Sequence, residues 1–266
     1  MSLTSTDYQS IAVAVDGHVA TVTLNRPEVR NAFNETAIAE ITAAFERLGA
    51  DPAVRAIVLA ANGPAFCAGG DLNWMKKMAA YSRAENLADA SELAAMLRTI
   101  DLCPKPVVAR IQGDAYAGGV GLAAIADIAV AVATAQFCLS EVKIGLIPAT
   151  ISPYVVRAMG ASAARRYFLT AERFSAQEAH RFGLVHEVVT ADALDSTVAG
   201  ILKALLAASP QAVGEAKRLV RDVAGRPIDD VLIADTVGRI ADIRASEDGR
   251  DGVQSFLEKR KPRWLA

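Results

Sequence analysis

The segment PVVARIQGDAYAGGVGLAAIADIAVAV, residues 106–132, decides the fold class of this chain. It holds two mostly apolar runs, 106–111 and 127–132, separated by a glycine-rich stretch and by small apolar residues that predict a helix around 120–125. Short apolar runs of this kind are typical of strands that are buried on both faces. Two such strands joined by a helix pair in parallel, so the segment predicts an α/β fold.

The same patterns extend the prediction to both ends of the chain. They predict a β-hairpin with its turn at Asp16-Gly17, a helix from Asn34 or Thr36 to about Leu48, a buried strand at 55–61, helices within 71–100, and a late strand at 184–189. Beyond Ser152 the patterns are otherwise helical. We therefore expect one domain, with an α/β core in residues 1–200 and a helical C-terminal region in residues 201–266.

Composition argues against several classes of protein. The 266 residues carry a net charge of −2 with an isoelectric point of about 6.0, whereas nucleic-acid-binding proteins usually show a basic excess. The three histidines have no metal-ligand spacing, so no metal site is expected. Residues 1–10 lack a signal-peptide pattern, and the longest apolar run, 120–135, is interrupted by Asp127 and is too short to span a membrane.

Cys67, Cys103 and Cys138 are odd in number, far apart and set among apolar residues. This usage predicts buried, reduced thiols and a cytoplasmic protein.

Two glycine-rich stretches each lie between a predicted strand and a predicted helix, GPAFCAGGD at 63–71 and GDAYAGGVG at 113–121. Neither contains GxGxxG or GxxxxGK[ST], which argues against a phosphate-binding loop. Each stretch alone could be a structural turn. Together, at the carboxyl ends of neighbouring strands, they could direct one backbone N–H group each at a single oxygen, the second from a helix N-terminus. Such an oxyanion hole suits a reaction that develops charge on a carbonyl oxygen.

Three motifs then carry a resemblance that covers nearly the whole chain. FCAGGDL at 66–72, QGDAYAGGVGLAAIADI at 112–128 and FCLSEVKIGLIPATISP at 137–153 resemble the crotonase (enoyl-CoA hydratase/isomerase) superfamily. LNRPEVRNAF at 24–33 and FLEKRKPRW at 256–264 are similar to it as well. The resemblance implies a spiral of ββα units with a helical C-terminal region that forms trimers, often paired into hexamers.

The resemblance also implies the roles of individual residues. The substrate would be an acyl-CoA thioester, with no other cofactor, and its carbonyl would bind the N–H groups of Ala68 and Gly118. Glu141 would be the acid–base group. The remaining residues implied in coenzyme A binding are Arg30, Asn31, Ala32, Gly69, Gly70, Asp71, Phe256 and Lys259, the last two often acting on a neighbouring subunit.

Hydratases of this superfamily hold one water between two glutamates, and the first of these maps onto Gly121, so it is missing here. Relatives that keep only the Glu141 position include Δ3,Δ2-enoyl-CoA isomerases and bacterial hydratases of branched glutaconyl-CoA substrates. DLNWMKKM at 71–78 and FCLSEVKIGLIPATISPYVVRAMG at 137–160 look most similar to the methylglutaconyl-CoA and isohexenylglutaconyl-CoA hydratases. We therefore expect a hydratase of a branched glutaconyl-type thioester, with an isomerase or a non-catalytic acyl-CoA-binding scaffold as alternatives.

Other polar and aromatic residues near these motifs keep two interpretations. Asp114 is either a second acid or a turn-stabilising residue. Trp74 either lines the acyl pocket or belongs to the core. Lys76 and Lys77 either bind a distal carboxylate or lie on a solvated helix face. Asp71 is expected to cap the helix that follows the first glycine-rich stretch.

Overall fold

The computed structural model describes residues 8–265, so most of the N-terminal segment assessed for a signal peptide lies outside the described residues. Within these residues ten strands form two sheets: β1 Ile11–Asp16, β2 Val19–Leu24, β3 Ala56–Ala61, β4 Ala65–Cys67, β5 Val107–Ile111, β6 Asp114–Tyr116, β7 Ile128–Val132, β8 Gln136–Cys138, β9 Arg173–Ser175 and β10 Glu187–Val189. The larger sheet has the order β1-β2-β3-β5-β7-β10, and the smaller has the order β4-β6-β8-β9.

The described part of the chain also holds ten α-helices: α1 Glu35–Ala50, α2 Leu72–Met78, α3 Arg83–Asp101, α4 Gly118–Ile125, α5 Ser152–Thr170, α6 Ala176–Arg181, α7 Leu194–Ala207, α8 Pro210–Val223, α9 Asp230–Ala245 and α10 Glu247–Leu257. The Asn34 side chain caps α1, as predicted, by accepting the Ala37 N–H at 2.8 Å. The two sheets and the helices that accompany them confirm the predicted α/β class.

The larger sheet follows from the apolar runs. β3 is buried along its whole length, and it pairs in parallel with β2 and β5, while β5 pairs in parallel with β7. Each of β3, β5 and β7 is followed by a short strand of the second sheet, which gives the repeated ββα arrangement.

The second sheet was not predicted, and the residues of β4 and β6 were interpreted as loops. Each of its strands is three residues long, and three residues are too few to show a period of two. The hairpin turn also differs from its prediction by one residue. Asp16 pairs with Val19, so Gly17-His18 form the turn, with Gly17 at a φ of 54°.

The predicted boundary between residues 200 and 201 falls inside α7, which packs against β3, β5 and β7. This helix therefore belongs to the core, and the helical region that follows starts with α8. Arg55 connects the two parts, because its Nη2 donates to Leu206 O at 2.8 Å and Ala208 O at 2.6 Å, and its Nη1 to Trp264 O at 3.3 Å.

All three cysteines are free thiols in the interior. Burial raises the pKa of the Cys67 thiol to about 12. Among residues 8–265, no single helix is long and apolar enough to span a membrane, although one pair, 191–207 with 210–223, reaches that length with a bend of 106°.

Candidate active site

Three strands of the smaller sheet bring the predicted site residues together. β4, β6 and β8 are neighbours, and they pair in parallel, so their carboxyl ends lie along one edge. Gly70 follows β4, Gly118 follows β6 and Glu141 follows β8. Ligands of α/β proteins bind at such an edge, because the loops there converge from different parts of the sequence.

A hydrogen-bonded frame holds the segments on both sides of β4. Asn31 is 3% exposed and has a φ of 55°; its Oδ1 accepts the Arg26 N–H, and its Nδ2 donates to Asn62 O and Ala65 O at 2.8 and 2.9 Å. Asp71 caps α2, as predicted, by accepting the Asn73 N–H at 2.7 Å. Asn31 therefore has a structural role, because its side chain ties the backbone at Arg26 to the segment that leads into β4.

An ion pair closes the same frame. Arg26 Nη2 lies 2.8 Å from Asp71 Oδ2, and its Nη1 donates to Ala32 O at 2.7 Å. Burial would raise the pKa of Asp71, but hydrogen bonds from Arg26 and from the N–H groups of α2 outweigh burial and lower that pKa.

The structure changes the assignment of the first N–H donor. The Ala68 N–H donates to Arg30 O at 3.0 Å, so it is already occupied. Phe33 holds the two residues on either side of Gly70: its N–H donates to Gly69 O at 2.6 Å, and its carbonyl accepts the Asp71 N–H at 2.7 Å. Among the described residues the Gly70 N–H has no acceptor. The donor expected at Ala68 is therefore available at Gly70 instead.

Gly118 supplies the second donor, and its N–H has no acceptor within residues 8–265. It is the first residue of α4, where the helix macrodipole favours negative charge. The two loops touch, because a Cβ placed on Gly69 would lie 2.9 Å from Ala117 Cβ and 3.7 Å from Gly118 N. A Cβ on Gly118 would lie 2.6 Å from Phe33 Cε2, so the Phe33 ring packs directly against this donor.

Glu141 begins a 3-10 turn, Glu141–Ile144, directly after β8. Its Oε2 is buried, and no hydrogen-bond partner exists for it among the described residues. Burial raises the pKa of this carboxyl group above its ordinary value, and the local backbone N–H opposes that shift only in part. A buried carboxyl group without a hydrogen-bond partner destabilises a fold. Groups of this kind are typical of sites that act on a ligand.

Gly121 lies one turn after Gly118 on the same face of α4. A Cβ at this position would collide with Ile151 Cγ2 and would lie 2.9 Å from Ile151 Cβ. Ile151 is 2% exposed and immediately precedes α5. The space that the first atom of a side chain at position 121 would need is therefore occupied by Ile151.

The auxiliary residues have structural partners. Asp114 is in β6 rather than in a loop, and its Oδ1 accepts the Gln136 N–H at 2.9 Å, which favours its structural interpretation. Trp74 is 5% exposed within the core, and its Nε1 donates to Asp89 Oδ1 at 2.8 Å. Lys77 pairs with Glu35 at 2.8 Å and is largely exposed, and Lys76 is exposed as well.

The residues implied in coenzyme A contacts are divided between two places. Arg30, Ala32 and the first loop lie beside the two donors, whereas Phe256 and Lys259 are exposed in and after α10. Phe256 is 83% exposed, a large fraction for an apolar side chain. No group of three or more potential ligands able to hold a metal ion occurs in the part of the chain that the structure describes.

Three residues that shape the site were not predicted from the sequence: Arg26, Phe33 and Ile151. Arg26 and Phe33 lie within the LNRPEVRNAF segment, but their partners in the first glycine-rich stretch, Gly69 and Asp71, are 36 to 45 residues away, so no local pattern shows them. Ile151 lies in the third motif, yet only its contact with Gly121 gives it a role.

Comparison with known proteins agrees with this arrangement. Residues 15–266 match the family model described as enoyl-CoA hydratase/isomerase. The crystal structure of an enoyl-CoA hydratase from Shewanella pealeana is 44% identical, with a TM-score of 0.94 over 97% of both chains. The enoyl-CoA hydratase ACTT6 of Alternaria alternata is 38% identical, over 88% of this chain and 77% of its own length. The (E)-benzylidenesuccinyl-CoA hydratase of Thauera aromatica is 31% identical, over 95% of this chain and 97% of its own length. This chain therefore belongs to the enoyl-CoA hydratase/isomerase family.

Proposed function

We propose that the protein hydrates the α,β double bond of an acyl-CoA thioester. The observation that carries this proposal is a buried Glu141 oxygen beside two loops with N–H donors at Gly70 and Gly118, all three without a hydrogen-bond partner among residues 8–265. Two donors at one carbonyl oxygen stabilise the enolate-like charge that develops when a nucleophile adds to the conjugated double bond.

A single carboxylate can complete the reaction. In this mechanism Glu141 takes one proton from a water molecule while the water oxygen bonds to Cβ, and the π electrons move to the thioester oxygen. The protonated Glu141 then returns that proton to Cα, so the product gains H and OH and the enzyme is unchanged. A raised pKa suits this double role, because the carboxyl group must both accept and donate the proton.

We propose a branched, glutaconyl-type acyl group as the substrate. The resemblance inferred from the sequence motifs at residues 71–78 and 137–160 motivates this proposal. A relative named for (E)-benzylidenesuccinyl-CoA, whose acyl group also carries a second carboxylate, supports it too. Lys76 is the candidate partner for that carboxylate, because Lys77 already pairs with Glu35.

We further propose that the protein acts in the cytoplasm as a trimer or as a dimer of trimers. Phe256 and Lys259 would then contact coenzyme A bound to a neighbouring subunit. Their exposure in the isolated chain is consistent with such a role.

A panel of three thioesters tests the reaction and the substrate together. Crotonyl-CoA and 3-methylglutaconyl-CoA lose their conjugated enoyl absorbance on hydration, and we expect the greater kcat/KM for 3-methylglutaconyl-CoA. A preference for crotonyl-CoA would reject the branched substrate but keep the hydratase. Binding of all three esters without turnover would reject the enzyme in favour of the scaffold.

The second candidate function is a Δ3,Δ2-enoyl-CoA isomerase, and the absence of a carboxylate at Gly121 favours it. Such an enzyme needs one base that moves a proton within the substrate. The third ester of the panel, 3-hexenoyl-CoA, decides this point, because isomerisation creates conjugated absorbance. No absorbance gain would exclude the isomerase.

A further inference from the structure

Gly121 and Ile151 occupy one space in the wall of the site. A residue with a Cβ at position 121 would overlap Ile151 Cγ2, and even Ile151 Cβ would lie 2.9 Å away. Ile151 is enclosed at 2% exposure, so its side chain has no solvent-filled space into which it can turn. Closely packed interiors resist such an added group.

The same contact lies beside the reacting groups. Gly121 is three residues after the Gly118 donor, on the same face of α4. Ile151 immediately precedes α5, which packs against both α4 and the 3-10 turn that begins with Glu141. The Ile151 side chain therefore lies against α4 one turn from the second donor, and Ile151 ends the segment that joins the 3-10 turn of Glu141 to α5.

We propose that Ile151 determines the acid–base chemistry of this site, because it occupies the room that a side chain at position 121 would need and so limits the site to one carboxylate. The proposal rests on the proposed function for its chemical consequence. Its steric part is independent of that function. Replacing Gly121 with a larger residue should therefore distort the packing of the site. Replacing Gly121 with glutamate and Ile151 with glycine together should make room for a second carboxylate.

Four variants test the proposal: Gly121→Glu, Ile151→Gly, the double variant Gly121→Glu/Ile151→Gly, and the matched control Gly121→Gln/Ile151→Gly. Glycine at 151 removes the Cβ that alanine would leave 2.9 Å from the new side chain. Thermal unfolding reports the steric part, and kcat/KM for hydration of crotonyl-CoA reports the chemical part.

We expect Gly121→Glu alone to lower Tm by at least about 2 °C, because its side chain overpacks the site. Ile151→Gly alone also lowers Tm, because it leaves a cavity. Both double variants recover part of that loss, so the two effects are not additive. The Glu double variant hydrates crotonyl-CoA about tenfold or more faster than the Gln double variant, since general acid–base catalysis typically contributes about 10²–10⁴-fold.

Three results would overturn the proposal. The first is a Gly121→Glu single variant with unchanged Tm. The second is a pair of double variants no more stable than the additive expectation. The third is equal hydration by the Glu and Gln double variants. A wild-type protein that turns over none of the panel esters would instead reject the proposed function, and the thermal measurements would still decide the steric part.

Discussion

Glu141 has a carboxyl group whose surroundings favour its protonated state. Burial raises its pKa, and its Oε2 has no partner among the described residues. The proposed reaction begins with the ionised form. We therefore expect the acid limb of the pH profile of kcat/KM to lie above the ordinary glutamate pKa of 4.5. A limb at or below that value would contradict this assignment.

The same shift predicts an effect on stability. Below the unfolded-state pKa both states hold the proton, and the shift has no effect. As the pH rises toward the folded-state pKa, the folded protein binds the proton more tightly than the unfolded chain, so its free energy of unfolding falls. Glu141→Gln should therefore reduce kcat by about 10²–10⁴-fold while raising the free energy of unfolding at pH 7 but not at pH 4. Parallel urea titrations at the two pH values measure this, and an equal change at both would contradict it.

The Gly70 N–H can be removed while its backbone neighbours are kept. Gly70→Pro lacks this N–H and should lower kcat/KM by about 10²–10³-fold, the typical cost of one lost oxyanion donor. Gly70→Ala is the matched control, because its Cβ would make ordinary contacts of 3.5 Å with Met75 Cγ and 3.7 Å with Trp74 Cε3. Steady-state kinetics on both variants, with circular dichroism to verify folding, provides the test. A folded Gly70→Pro variant with the wild-type kcat/KM would show that another N–H group is the oxyanion donor.

The short strands of the smaller sheet are the elements that aim these groups. β6 leads into α4 through Ala117, which has a φ of 48° and a ψ of −116°, a conformation that favours glycine. Its N–H donates to Cys138 O in β8 at 2.8 Å. The turn that presents Gly118 is thus tied to the strand that presents Glu141.

Ala117→Gly should stabilise the protein, contrary to the usual effect of glycine. Backbone strain of this kind costs on the order of 1–3 kcal/mol, and added glycine entropy costs roughly 0.5–1 kcal/mol, so a gain of about 1 kcal/mol remains. Differential scanning calorimetry should show a Tm higher by about 2–4 °C. Ala126→Gly, at an ordinary φ of −67° after the same helix, is the control and should lower Tm. Equal losses for both variants would show that Ala117 is unstrained.

Local signals predicted one set of elements and missed another. β3, β5 and β7 were predicted because each is an almost unbroken apolar run. β4 and β6 were missed because they are three residues long and lie within glycine-rich stretches. Glu141 and Gly118 could be named from their motifs. The exchange of Ala68 for Gly70 could not, because it depends on the Arg30 carbonyl, 38 residues earlier in the chain.

At the scale of the whole molecule, Arg55 joins the core to the C-terminal helical region. Its guanidinium donates to three carbonyl oxygens, at the end of α7 and near the C-terminus. Burial lowers the pKa of this guanidinium, although nearby Asp248 opposes the shift. The position of α8, α9 and α10 relative to the sheet therefore depends in part on one side chain.

Arg55→Met should loosen this connection while keeping the aliphatic part of the side chain. Hydrogen bonds to a charged group contribute about 1.5–3 kcal/mol, so we expect a loss of this size in the free energy of unfolding. Limited proteolysis should then cut first in the segment between α7 and α8. Arg218→Met is the control, because Arg218 is half exposed and, among the described residues, forms an ion pair with Glu215 alone, at 3.3 Å. Unchanged protease resistance in Arg55→Met would assign the docking to other contacts.

The reactivity of the three buried thiols can be used to measure local opening of the fold. A disulfide reagent in water reaches none of them while the fold is closed, and Cys67, with a pKa of about 12, offers almost no thiolate at neutral pH. Cys67 lies directly behind the two donor loops, since its Sγ accepts the Gly69 N–H at 3.5 Å. The rate at which Cys67 is labelled therefore measures how often these loops separate from the core, and a bound thioester that holds them together should slow it.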